Sequence, residues 1–168
     1  MSVFVDTNVL VHWRDARDLQ RQARAAAWLR HLWHERSGRV STQVLSEYYA
    51  VVTRKLAPSL ARDDAWDDVQ ALTLWNPQPI DTRVLSRARA VEERHRLSWW
   101  DSLIVAAAQE QRCTILLTED LQEGADYGGV VVRSPFTLDA NEPEVAAATG
   151  CGGHPPRGRP RKGAASRL

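Results

Sequence analysis

Apolar positions along this chain fall into two patterns, short unbroken runs and longer stretches spaced by three and four, with turn-forming residues between them. Val3-Phe4-Val5 and Cys113-Thr114-Ile115-Leu116-Leu117 are runs of the kind found in strands buried on both faces. From Asp18 to about Ser37, Leu19, Ala23, Ala26, Leu29 and Trp33 recur at helical spacing. Gly38 ends that helix, and Val40 begins a short second strand. Ser41 or Thr42 caps a helix running to about Leu56, where Pro58 interrupts the pattern. Residues 59–75 predict another helix, closed by Asn76-Pro77, and after a strand-like Ile80, Asp81 caps one that reaches about His95. Ser98 opens the most apolar helix, Trp99 to about Arg112, which leads into the Cys113–Leu117 strand. Turns at Glu123-Gly124 and Gly128-Gly129 precede a last strand, Val130–Arg133. Strands alternating with helices predict an α/β fold, a mainly parallel central sheet flanked by helices. Ligands of such sheets bind at the carboxyl ends of the strands.

The pattern dissolves at about Ala140 into Ala, Gly, Pro and Arg, a composition that cannot bury enough apolar surface to order itself. The chain of 168 residues therefore divides into one domain, 1–139, and a flexible basic tail, 140–168. Of the net charge of +1, the tail carries +3 and the body −2. That balance is unlike a protein that grips nucleic acid over one broad basic face. Two cysteines, Cys113 and Cys151, give no disulfide framework and no cysteine zinc site. The start of the chain lacks the basic segment of a signal peptide, and no apolar run approaches membrane-spanning length. A cytoplasmic location is the expectation.

Candidate chemistry lies in four acids. Asp6 ends the first strand and Asp120 follows the Cys113–Leu117 strand, both at the carboxyl edge. Glu47 shares a helix face with Gln43, Val44, Ala50 and Val51, and Asp101 sits over Leu97, Ile104 and Val105. Each has an ordinary reading. Asp6-Thr7-Asn8 fits a strand-to-helix turn, Glu47 a salt bridge to an arginine, Ser98-Trp99-Trp100-Asp101 a capping box, and Thr118-Glu119-Asp120 a turn. Together they say more than singly. Two carboxylates about 5 Å apart repel by roughly 3 kcal/mol at an effective dielectric of 20, so a cluster of four takes up protons or hard divalent cations. Other chemistries find less support. There is no glycine-rich phosphate loop, Asn8 stands where an aspartate-nucleophile phosphatase wants its second Asp, and His31 and His34 lie on a charged, solvated helix face. The seven tryptophans read as core and interface, with one or two available to stack on bases.

With these residues in view, the chain resembles the PIN-domain ribonucleases, and among them the VapC-type toxins of bacterial toxin–antitoxin pairs. The resemblance is carried by Val3-Phe4-Val5-Asp6-Thr7-Asn8-Val9-Leu10-Val11, by Ser46-Glu47, by Leu97-Ser98-Trp99-Trp100-Asp101-Ser102-Leu103-Ile104-Val105-Ala106-Ala107-Ala108, and by Leu116-Leu117-Thr118-Glu119-Asp120-Leu121. It spans about residues 1–138. It implies a PIN-like fold in which Asp6, Glu47, Asp101 and Asp120 are the catalytic, metal-binding acids. Thr118 would be the supporting hydroxyl, and Thr7 and Asn8 would orient Asp6. It also implies a homodimeric endoribonuclease that uses Mg²⁺, with Mn²⁺ able to substitute, and that a cognate antitoxin protein holds inactive. A PIN fold kept only for binding, or a structure-specific DNA nuclease with a similar site, are the alternative functions.

One motif lies outside the resemblance. Pro156-Arg157-Gly158-Arg159-Pro160-Arg161-Lys162 looks like an AT-hook, in which Arg157 and Arg159 would enter an A·T-rich minor groove. The ordinary reading of the same residues is a compositionally biased basic tail, and it is the one the composition favours.

Overall fold

The computed structural model describes residues 1–137, so the expected tail, with Arg157 and Arg159, lies outside the described residues. Four strands form one all-parallel sheet in the order β2-β1-β3-β4: β1 is Val3–Val5, β2 Gly38–Arg39, β3 Ile115–Leu117 and β4 Val131–Arg133. The register sets Val3 against Gly38 on one side and Ile115 on the other, and Ile115 against Val131. Every residue of β1 and β3 is buried, as a parallel strand covered on both faces requires.

Six α-helices surround the sheet among the described residues: α1 Thr7–Arg14, α2 Leu19–His34, α3 Thr42–Arg54, α4 Arg62–Leu72, α5 Thr82–His95 and α6 Trp99–Glu110. Five begin at a side-chain cap. Asp6 accepts from the Thr7 N–H, Asp18 from Arg21, Ser41 from Val44, Asp81 from Arg83 and Val84, and Ser98 from Asp101. A 3-10 turn, Thr73–Trp75, extends α4 to left-handed Asn76.

The expected elements are present, with shifted ends. β2 starts at Gly38 because the chain reverses at left-handed Arg36 (φ 53°), so the strand precedes Val40. Ile80 joins no strand; Gln78 makes the isolated bridge, to Ser41. The α1 helix was not legible in the pattern, since its eight residues bury only Val9 and Leu10.

Two packing details tie the helices to the sheet. A Cβ on Gly38 would stand 2.6 Å from the Trp75 ring, which itself packs on Trp33 with centroids 5.1 Å apart, so only glycine admits that closure. Between α1, α3 and α4, the buried Asp68 carboxylate accepts two bonds from the Arg14 guanidinium, one of them 2.8 Å from Nε, and a third from the Tyr48 hydroxyl at 2.5 Å. No described helix is long and apolar enough to cross a membrane.

Candidate active site at the carboxyl edge of the sheet

Because β1 and β3 are parallel neighbours, the segments leaving their carboxyl ends emerge side by side. Asp6 leaves β1 and caps α1, while Thr118 and Asp120 leave β3. The Asp6 N–H still donates to the Leu117 carbonyl at 3.1 Å, which fixes the two exits against each other. From the flank, α3 brings Glu47 and the first turn of α6 brings Asp101. All four acids line one cleft of about 340 Å³, together with Thr7, Asn8, His12, Gln43 and Trp100.

Thr118, buried behind the acids, organises the pair from the sheet. Its hydroxyl donates to Asp6 Oδ2 at 2.7 Å and accepts from the Asp120 N–H at 3.1 Å. Asn8 Nδ2 lies within hydrogen-bonding distance of three oxygens, Thr118 Oγ1 and Asp120 Oδ2 at 2.9 Å and Asp6 Oδ2 at 3.2 Å. Thr7 donates its N–H to Asp6 Oδ1 at 2.6 Å and its hydroxyl to Glu47 Oε2 at 3.1 Å. Glu47 Oε1 accepts from Gln43 Nε2 at 3.0 Å, so its bonds go to neutral donors and the salt bridge allowed by its position is absent among the described residues. Asp101 keeps part of the capping role as well, accepting from the Ser98 hydroxyl at 2.6 Å while lining the cleft.

Electrostatics distinguishes this site from an ordinary cap. Burial, followed by repulsion from Asp120 and Glu47, pushes the Asp6 carboxyl up from 3.8 to about 6, against the lowering effect of the Thr118 and Thr7 bonds. Among the described residues no Lys, Arg or His forms an ion pair with any of the four acids. Asn8 Oδ1 is a buried acceptor without a partner among the described residues. Repelling carboxylates and an unused amide oxygen are a donor set suited to a hard divalent cation. No three His, Cys, Asp or Glu groups among the described residues are yet close enough to form a finished ion cage.

Three cleft residues were missed in the sequence. His12 lies one turn beyond Asn8 on α1 and reaches Glu119 Oε1 at 2.5 Å, with Arg21 on the same carboxylate. Gln43 lies one turn before Glu47, and Trp100 stands next to Asp101. The available signals were helical spacing from Asn8 and Glu47, and the first of these required α1.

Comparison with known proteins bears on the family and the fold. Residues 3–122 match the family model of the PIN domain, and the chain belongs to that family. No curated protein sequence matches it. Among solved structures it is similar to a toxin–antitoxin complex from Klebsiella pneumoniae, with TM-score 0.55, 21% identity, and coverage of 80% of this chain and 98% of that one. It is also similar to Mycobacterium tuberculosis VapC20, a sarcin–ricin loop cleaving toxin, with TM-score 0.51, 20% identity, and coverage of 68% and 87%. At these identities the likeness is one of fold.

Proposed function

We propose that this chain is a metal-dependent endoribonuclease that hydrolyses RNA phosphodiesters as the toxin of a toxin–antitoxin pair. The observation that carries the reading is the convergence of Asp6, Glu47, Asp101 and Asp120 on one cleft without a cationic partner among the described residues. PIN nucleases generally use divalent metal ions, and in this reading the four acids hold Mg²⁺, with Mn²⁺ able to substitute. When bound, such a cation lowers the pKa of water and offsets charge on a phosphodiester. The protein's part is to hold the acids in place. Thr118, Asn8 and the Thr7 N–H fix Asp6, Thr7 and Gln43 fix Glu47, and Ser98 fixes Asp101. No protein nucleophile is needed.

The toxin role is supported by the fold shared with the Klebsiella complex and with VapC20, and it adds a cognate antitoxin, a homodimer and action in the cytoplasm. The test compares cleavage of RNA and DNA of equal sequence with Mg²⁺, with Mn²⁺ and in chelator. Metal-dependent cleavage confined to RNA is the expected result, and expression of the chain alone should arrest growth while its Asp101→Asn variant does not. Preferential cleavage of DNA, or equal growth arrest by both forms, would remove the reading.

A further inference from the structure

Trp100 is an unusual residue to find at the rim of an acidic cleft. It is 63% exposed in the first turn of α6, next to Asp101. Leaving so much of an indole in water forgoes the gain that burial would bring. Trp100 also lines a second hollow of about 430 Å³, walled by Ile80 and Leu103 and by Thr42, Gln43 and Ser46 of α3. That hollow and the acid cleft share Gln43, Glu47 and Trp100, so they form one continuous surface.

Gln43 stands at the junction. Its amide nitrogen donates to Glu47 at 3.0 Å and faces the Trp100 carbonyl at 3.5 Å, which leaves its oxygen as the free end. That oxygen is buried and has no partner among the described residues. Buried acceptors are rarely left so; closed to solvent as it stands, this one would accept a ligand N–H once the Gln43 amide turns toward the hollow.

We propose that this hollow seats one unpaired nucleobase of the RNA, beside the phosphodiester at the acids, stacked on the Trp100 indole with its N–H edge toward Gln43. The inference rests on the nuclease reading and names what the cleft recognises beyond the backbone. A base offers a flat π-face to the indole, and proteins read RNA sequence chiefly through unpaired bases of this kind. The apolar walls and the polar α3 edge match a group with apolar faces and a hydrogen-bonding rim.

The test measures binding of short single-stranded RNA by the full chain in chelator, where nothing is cleaved. Wild type, Trp100→Ala and Trp100→Phe are compared, on intact RNA and on RNA with one abasic nucleotide moved along its length. Trp100→Ala should weaken binding on the order of 10-fold, and Trp100→Phe should restore most of the loss. At one position an abasic nucleotide should cost wild type about as much, and should cost Trp100→Ala nothing further. Contacts made by charge alone, including those of the basic C-terminal residues, are insensitive to base removal. Unchanged binding by Trp100→Ala overturns the subsite and leaves the nuclease reading standing. So does a Trp100→Ala protein that falls from dimer to monomer in sedimentation, since the indole would then serve a second copy. Failure of wild type to bind single-stranded RNA in chelator overturns the subsite, while the metal-dependent cleavage assay decides the nuclease reading separately. A chain that cleaves nothing yet shows the matched Trp100 and abasic losses keeps the subsite and loses the nuclease.

Discussion

Asp6 and Asp68 are equally hidden, each 7% exposed, yet they serve opposite ends. Asp68 is answered inside the fold by the Arg14 guanidinium and the Tyr48 hydroxyl; its bond and charge raise the pKa of Arg14, and burial followed by Asp68 raises that of Tyr48. Asp6 is answered only by neutral donors and sits among acids that repel it. Burial alone therefore says little about what a carboxylate is for. The informative question is whether the protein supplies the counter-charge itself, and among the described residues it does so at Asp68 and not at Asp6.

The largest effect that tests this contrast is on activity. Asp6→Asn or Asp101→Asn should lower metal-dependent RNA cleavage by orders of magnitude while circular dichroism stays native. Full cleavage by either variant would place both acids with Asp68 as structural groups. Next in size is the converse substitution. Asp68→Ala leaves Arg14 without its partner and should cost about 3 kcal/mol, lowering the melting temperature by roughly 6–12 °C. The low end of the range for buried pairs applies because the Arg14 side chain is 33% exposed. A change of less than a degree would show that the pair contributes nothing to folding.

A smaller effect comes from the cation. Mg²⁺ or Mn²⁺ at about 100 times its dissociation constant should stabilise wild type by about 2.7 kcal/mol in thermal unfolding, and should do little for Asp6→Asn. Equal stabilisation of both proteins would move the metal elsewhere. The smallest effect appears without metal. A carboxyl raised from 3.8 to about 6 is protonated more readily in the folded chain, so Asp6 costs nothing below pH 3.8. Its cost grows as pH rises toward 6 and is constant above. The full cost is about 3 kcal/mol, of which Asp6→Asn should recover about 1–2 kcal/mol, because the new amide presents a donor to Asn8. Denaturant midpoints in chelator at pH 4, 5, 6 and 7 should show the variant's advantage widening and then levelling. An Asp6→Asn protein that is less stable at every pH would return Asp6 to the role of a helix cap.

Much of this contrast was legible in the sequence on one side only. The strands that aim Asp6 and Asp120 are apolar runs, and Glu47 and Asp101 interrupt apolar helix faces, so pattern alone marks all four. Asp68 gives no such mark, because it sits in the acidic stretch Asp63-Asp64-Ala65-Trp66-Asp67-Asp68, and its pairing with Arg14 depends on how α4 lies on α1. The α1 helix is too short to show a period. Helix ends shifted where arginines adopt the left-handed turn usually left to glycine, as at Arg36 and Arg112. His12 and Gln43 were missed because polar residues at a cleft look like surface until the helices are placed, and Trp100 because nothing in the pattern separates it from the core tryptophans.

The strand order also bears on when the four acids can first come together. β1 is made first, yet its inner neighbour β3 follows more than a hundred residues later, at Ile115–Leu117. A ribosome adding about 5–20 residues per second must therefore run for several seconds or more after Asp6 emerges before Asp120 can join it. In the nuclease reading, the growing chain cannot cut RNA throughout that interval. In the toxin reading, an antitoxin translated alongside would have the same interval in which to accumulate, so timing would restrain the enzyme before any inhibitor binds.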